Sequence, residues 1–294
     1  MKKHLSLCLL TLIPSIAYAD LPLQVEDMLS DKGKMRFELS TTYANSERRS
    51  VDTPEAISIQ TGETTYINIP TKVGERLSNT DAFVTTAGFR YGLTSKTALY
   101  ARASALHVEH RSENSEGTVS NDSTSNFADA WVGLNHKFRD DIDKPALFGF
   151  AELQIAEHQE DDKNVYGKAL VIGGTTYQTF DPLVLSMTGA VQLYSTRDVN
   201  NESYQPGNSL TLSPSVGFAV NEKITLTGGV SWRFKESDEI NGEKIGIKQT
   251  QTSLDLGLGY AFGKHDTVSI NARPKVSGDG DIQINVGWIH RLKN

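Results

Sequence analysis

The sequence predicts an all-β protein, a twelve-stranded antiparallel up-and-down transmembrane β-barrel with a short N-terminal helix. Three observations predict it: an apolar leader, a residue period of two along nearly all the rest, and connections that alternate between short and long. Each element follows in chain order.

Lys2 and Lys3 precede an apolar run from Leu5 to Ile16, and Ala17-Tyr18-Ala19 precedes Asp20. A basic start, a short apolar stretch and a small-x-small end describe a secretory signal peptide, cut between Ala19 and Asp20. The competing reading, an uncleaved anchor helix, needs a longer run. Removing residues 1–19 takes away Cys8, the only cysteine, and moves the net charge from −7 to −9 through the loss of two lysines. Thiol and metal-thiolate chemistry leave with the leader. A chain this acidic has no basic footprint for nucleic acid. Residues 20–33 form a short periplasmic segment, in which Leu21, Val25, Met28 and Leu29 make one apolar stripe, with Pro22 at the start and Gly33 at the stop of a helix over 22–30.

From residue 34 to 294 the pattern is that of strands, and this span is assigned to the barrel. Met35, Phe37, Leu39 and Tyr43 alternate with Arg36, Glu38, Ser40 and Thr42; Leu254, Leu256, Leu258, Tyr260 and Phe262 alternate with Ser253, Asp255, Gly257 and Gly259. Such alternation marks strands with one apolar face. Twelve segments result: 34–45, 81–92, 97–110, 126–138, 145–158, 165–180, 183–196, 208–220, 224–236, 244–262, 267–277 and 281–292. They are long for a soluble protein and long enough to cross a bilayer at a tilt. Both faces of 165–180 are mixed, so its phase is the least defined.

Short connections fall near 93–96, 139–144, 181–182, 221–223 and 263–266; the others are mostly longer and polar. Short periplasmic turns opposite longer external loops mark the bacterial outer-membrane barrel. Phe89, Tyr91, Phe138, Phe218, Tyr260, Phe262 and Trp288 fall on the apolar face at the turn end, and Tyr43, Trp232 and Phe234 at the loop end. Two aromatic girdles at the two interfaces are expected of such a wall. An exported soluble sandwich would alternate as well, but it has no reason to place aromatics at both ends. A mean hydropathy of −0.36 is compatible with a barrel, which needs apolar residues only at alternate positions.

The non-apolar phase then faces the lumen. Its basic members are Arg36, Arg90, Arg102, Lys137, Arg233, Lys235, Arg273, Lys275 and Arg291; its acidic members are Glu38, Asp129, Glu152 and Asp255. The excess of cations favours anion entry, unless these charges pair across strands and stiffen the wall. Loop 46–80 carries its own hairpin pattern, with Ile57 and Ile59 before Thr61-Gly62 and Tyr66, Ile67 and Ile69 after. It either folds inward as a constriction or stands above the membrane. The helix at 22–30 either plugs the periplasmic mouth or lies against its rim.

No catalytic, cofactor or metal constellation emerges. His107, His136 and His290 fall on the outward phase, but no closely spaced serine of that phase joins one of them to an orienting partner, as an activated nucleophile needs. Asp140-Asp141-Ile142-Asp143, Glu160-Asp161-Asp162 and Asp279-Gly280-Asp281 read as solvated connections.

Leu21-Pro22, Asp31-Lys32-Gly33-Lys34, Tyr43-Ala44-Asn45, Phe89-Arg90-Tyr91-Gly92-Leu93-Thr94, Ala128-Asp129-Ala130-Trp131-Val132-Gly133-Leu134, Ser213-Pro214-Ser215 and Leu256-Gly257-Leu258-Gly259-Tyr260 together resemble outer-membrane transporters of the phenol-degradation meta-pathway type. The chain is also similar in barrel type to the secretion channel of the Fap functional-amyloid system. The resemblance implies a twelve-stranded pore after a helical element, set in outer-membrane lipid and lipopolysaccharide by the barrel-assembly machinery, with its termini in the periplasm. The expected function is passage of small solutes, anionic or aromatic. A secretion pore for amyloid-like polypeptides and a barrel-borne lipid-modifying enzyme stay open as alternatives.

Overall fold

The computed structural model describes residues 29–49, 56–69, 75–114, 116–158, 164–199, 202–277 and 281–292. The leader with its Ala19–Asp20 junction, most of the helix over 22–30, and the acidic runs at 160–162 and 279–280 lie outside them. Leu29 and Ser30, the last two residues of that helix, have no helical geometry.

Twelve strands form the wall: β1 (Met35–Arg49), β2 (Glu75–Gly92), β3 (Thr97–Asn114), β4 (Val119–Arg139), β5 (Ala146–His158), β6 (Ala169–Phe180), β7 (Leu183–Tyr194), β8 (Ser209–Asn221), β9 (Ile224–Lys235), β10 (Gln249–Phe262), β11 (Asp266–Pro274) and β12 (Ile282–Arg291). Each pairs antiparallel with the next, and β1 pairs with β12 in the register Thr41↔Val286, so the sheet closes. Closure removes the unpaired edge that hydrocarbon could not satisfy. All twelve predicted segments are present.

The outward phase carries the apolar belt. Leu39, Phe89, Leu134, Leu185, Phe218, Leu256, Phe262 and Ile270 are exposed, a surface far too large and continuous for a protein in water. Above the belt the character changes abruptly. The Tyr43 ring packs 5.0 Å from Phe83, and its hydroxyl donates to Asp81 at 2.6 Å, where Asn45 and Arg111 also converge. An aromatic anchor topped by an ionic network is what a membrane–water interface requires.

β1 to β4 run 15, 18, 18 and 21 residues, beyond their predicted outer ends. Past Tyr43 and Phe83 the outward side chains are Asn45, Glu47, Asn79 and Asp81. With both faces polar the period-two signal vanishes, while the backbone ladder continues as a tall rim. On the opposite side of the barrel the loops carry a small four-stranded sheet of Arg197–Val199, Glu202–Gln205, Asp238–Ile240 and Glu243–Ile245. There Tyr204 donates to Asp238 at 3.1 Å, and its burial together with that carboxylate raises the phenol pKa above its usual value.

β4 contains a bulge: Ser104 pairs with Asp129, but Ala105 pairs with Phe127. Ala128 is the extra residue, and everything N-terminal to it changes phase.

Candidate functional site: a lumen closed by an inward hairpin

The predicted hairpin exists, as Ile57–Gln60 paired with Tyr66–Ile69, and it lies inside the barrel. Of the two readings of loop 46–80, the inward one holds. Ile57, Ile59 and Ile69 are buried against Ala44, Ala82 and Val84, with Ile67, Leu106 and Val108 packed around them. These wall residues sit in the lumen phase of β1, β2 and β3. Water would be a poor neighbour for them, and the hairpin's apolar face takes its place.

The other face of the hairpin reaches across the lumen through polar contacts. The Gln60 backbone N–H donates to Gln283 Oε1 at 3.2 Å, and Gln283 Nε2 donates to the Ser58 carbonyl at 2.9 Å. Arg102 Nη2 donates to Thr65 at 2.6 Å and to Glu152 at 3.1 Å. Arg273 bonds both Gln60 and Asp255. The Arg233 guanidinium lies 3.9 Å from the centre of the Tyr66 ring, a cation–π contact. At the tip, Gly62 is needed for its size: a Cβ there would sit 2.5 Å from the Thr65 hydroxyl oxygen and 3.2 Å from the Arg102 guanidinium carbon.

Below the tip remains a cavity of about 370 Å³. Arg36, Glu38, Arg90, Glu152, Asp255 and Arg273 line it, as do Tyr100, Phe148 and Phe150. Its wall is amphipathic. Across β7 to β12 small polar side chains prevail below the hairpin tip, bonded sideways as in Ser186–Ser215 at 2.6 Å and Ser213–Ser231 at 3.1 Å. Across β4 to β7 an apolar cluster of Trp131, Phe150, Ala169, Val171, Ala190 and Tyr194 faces inward. That cluster explains the mixed faces of β6, since Ala169 and Val171 turn an apolar side to the lumen. At the turn end Leu29, like Tyr177 of β6, packs on Ala146 and Phe148, so the N-terminal chain reaches from β1 across the mouth to β5. It passes Gly92 so closely that a Cβ there would meet the Asp31 carbonyl at 2.1 Å.

Most of the lumen-phase cations have carboxylate partners. Arg36 and Arg90 share Glu38, at 2.7 and 3.2 Å. Arg102 holds Glu152, and Arg273 holds Asp255. At the ends of the barrel, Lys137 pairs with Asp140, Lys235 with Asp238 and Lys275 with Asp281. Asp140 stands in a turn outside the wall, and its hydrogen bond to the Lys137 ammonium lowers its carboxyl pKa. Asp129 accepts from the Trp131 indole at 2.7 Å instead of meeting a cation. Arg291 stands in register with Arg36 at the turn end. Arg233, the remaining cation, has its contact with Tyr66 and no carboxylate partner among the described residues.

One reading of the sequence is corrected. His107 does have a nearby serine: Ser125 Oγ lies 2.6 Å from its Nδ1, and Glu109 lies 3.6 Å from its Nε2. The Ala128 bulge causes this by turning Ser125 outward into register with His107. Hydroxyl–imidazole pairs also join Thr97 to His136 and Thr80 to His110, each at 2.9 Å, so cross-strand contacts of this kind recur in this wall. The residues that sequence reasoning missed are the wall partners Gln283 and Tyr194 and the inward aromatics Tyr100, Trp131, Phe148 and Phe150. The signal that could have found the aromatics is apolar character at lumen-phase positions; Gln283 carries no such mark.

The fold has known counterparts. The chain superposes on the COG4313 outer-membrane channel of Pseudomonas putida F1 with a TM-score of 0.67 and 12% identity, over 90% of this chain and 97% of that one. The translocator domain of the autotransporter NalP from Neisseria meningitidis gives a TM-score of 0.51 and 12% identity, covering 92% of each chain. The transport unit of the autotransporter AIDA-I from Escherichia coli gives 0.52 and 9%, over 90% of this chain and 94% of that one. At such identities the likeness establishes the outer-membrane barrel fold. No curated protein matches the sequence. The family profile described as "Putative MetA-pathway of phenol degradation" matches residues 43–289, nearly the whole barrel, and the chain belongs to that family.

Proposed function

We propose that this barrel is a bacterial outer-membrane channel for small solutes, aromatic ones among them, and that the hairpin over 57–69 is its constriction. The observation that carries the reading is the hairpin itself. It seats an apolar face on one inner wall and leaves a cavity of about 370 Å³ below its tip, the size of a small-molecule site. Tyr100, Phe148 and Phe150 offer that cavity flat apolar surface, and the paired charges keep it wet. The family's connection with phenol degradation favours aromatic cargo. The thirteen lumen-phase charges named from the sequence are read as the passage wall.

Further parts of the reading follow from the topology. Short turns at the end that holds both termini support a periplasmic position for them. The export leader, assembly by the barrel machinery, and contact of the Asn45–Asp81–Arg111 rim with lipopolysaccharide belong to the same proposal.

The test is conductance in planar bilayers, comparing the full chain with a variant in which residues 57–69 are replaced by a short Gly-Ser linker. Removing the constriction should raise single-channel current several-fold. A deletion variant with unchanged current, or with none, would sink the reading. A pore for polypeptides would instead show itself by passing an unfolded substrate only when the hairpin is absent.

A further inference from the structure

Arg233 is only 5% exposed and Arg197 only 4%. Arg233 Nε and Nη2 have no hydrogen-bond partner among the described residues, and the same two atoms of Arg197 have none either. Arg197 spends Nη1 on Glu157. A buried guanidinium with unmet donors is among the costliest arrangements a protein can hold. That both arginines leave the same edge unused is informative. The Nε–H and Nη2–H bonds run parallel, and that pair of donors matches the two oxygens of one carboxylate.

The surroundings are built for such a guest. Arg197 sits 5.6 Å from the ring centre of Tyr194, and Arg233 stands on the same inner wall, in register with Thr211 of β8 and through it with Ala190 of β7. Gln192, the inward residue before Tyr194 on β7, has no partner for either amide atom among the described residues, and neither does the hydroxyl of Ser209, its register partner on β8. The acidic groups around the two arginines are already committed: Glu157 to Arg197, Asp129 to Trp131, and Asp238, bonded to Tyr204 beside Arg197, to Lys235. The apolar cluster of Trp131, Phe150 and Val171 adjoins Tyr194 and supplies a surface for a ring. Tyr66 of the hairpin stacks on Arg233 and covers the site from the lumen axis.

We propose that Arg197, on the loop strand after β7, and Arg233, on β9, form a carboxylate-binding site between the hairpin and this part of the wall. Its ligand class is the small aromatic monocarboxylate, with the carboxylate on the arginine edges and the ring against Tyr194 and its apolar neighbours. The site rests on the channel reading, because it names the solute class that the lumen selects. The Tyr66 ring must lift from Arg233 for the ligand to seat, which couples binding to the hairpin.

The experiment is calorimetric titration of the detergent-solubilised full chain with benzoate, and with benzyl alcohol as the uncharged counterpart. Benzoate should bind saturably and benzyl alcohol at least tenfold more weakly. Arg233→Met should weaken benzoate at least tenfold while leaving benzyl alcohol unchanged. Arg233→Lys keeps the charge but lacks the parallel edge, so it should also lose most of the affinity; it serves as the second variant if Arg233→Met fails the heat-modifiable gel shift of a folded barrel. Equal benzoate affinity in wild type and either folded variant, or equal affinity for the alcohol, overturns the site. Bilayer current in the same preparations separates the two proposals. A conducting chain with indifferent arginines loses the site and keeps the channel; a benzoate-binding chain that stays silent even without its hairpin keeps the site and loses the channel.

Discussion

The inner hairpin meets the barrel on two sides that differ in kind. Toward β1, β2 and β3 its contact is dry: Ile57, Ile59 and Ile69 against Ala44, Ala82 and Val84. Toward β3, β9, β11 and β12 it is polar, through Arg102, Arg233, Arg273 and Gln283. The dry side draws its free energy from area removed from water, which neither salt nor solute can replace. The polar side exchanges protein partners for water or ligand at small net cost, since an intramolecular hydrogen bond nets only about 1 kcal/mol. The hairpin is therefore seated by apolar packing on one wall (the hinge) and by exchangeable polar contacts on the other (the latch), and on the proposed function a solute that competes for the latch should move it without dislodging the hinge.

Ile59→Asp attacks the hinge and should have the largest effect. Ile59 is fully buried, and loss of its packing alone is worth ~2–5 kcal/mol. A carboxylate with no partner in that pocket adds a desolvation penalty. The hairpin should leave the lumen, and bilayer current should rise to that of the linker variant, while heat-modifiable migration shows an intact barrel. Wild-type current in this variant would mean that the dry contact is not what seats the hairpin.

Arg102→Met strikes the latch where it is strongest. It removes the bonds to Thr61 and Thr65 and leaves Glu152 without its cation, and hydrogen bonds to charged groups are worth ~1.5–3 kcal/mol. Openings should become frequent, and the reversal potential should shift toward cations because Glu152 is unpaired. Adding Glu152→Gln should restore the reversal potential but not the closed time, and the double-mutant comparison isolates the pair from the hairpin contacts.

How much of this could be read in the sequence follows from the same contrast. Alternation such as Leu254 to Phe262 fixes a strand and its outward face, because lipid demands apolar residues at every second position. It located all twelve strands, but not the outer ends of β1 to β4, where both faces turn polar. A bulge leaves no mark in such a pattern: one residue, Ala128, moved Ser125 from the unconsidered phase into contact with His107. The hairpin over 57–69 was legible as a hairpin with an apolar face, but no local pattern says which surface that face covers. The answer lay in Ala44, Ala82, Val84 and Leu106, apolar residues at positions where a water-filled lumen calls for polar ones. The charge excess was legible too. What it hid is pairing, since the partners Asp140, Asp238 and Asp281 come from connections whose positions depend on closure of the barrel.

Gln283 gives the smallest perturbation and the sharpest separation of hinge from latch. Its side chain accepts from the Gln60 N–H and donates to the Ser58 carbonyl, so it pairs with the hairpin backbone as a further strand would. Gln283→Leu removes both bonds at nearly constant volume. The Ser58 carbonyl and Gln60 N–H regain water from the lumen, so the loss should be about 1 kcal/mol and not the full cost of orphaned groups. Closed times in single-channel records should shorten roughly fivefold, as 1.4 kcal/mol is tenfold, with the open current unchanged. The apolar side should remain seated, so the large current of Ile59→Asp should not appear. If Gln283→Leu alone opened the pore as widely as Ile59→Asp does, the polar wall would be the seat of the hairpin, and the assignment of hinge and latch would have to be exchanged.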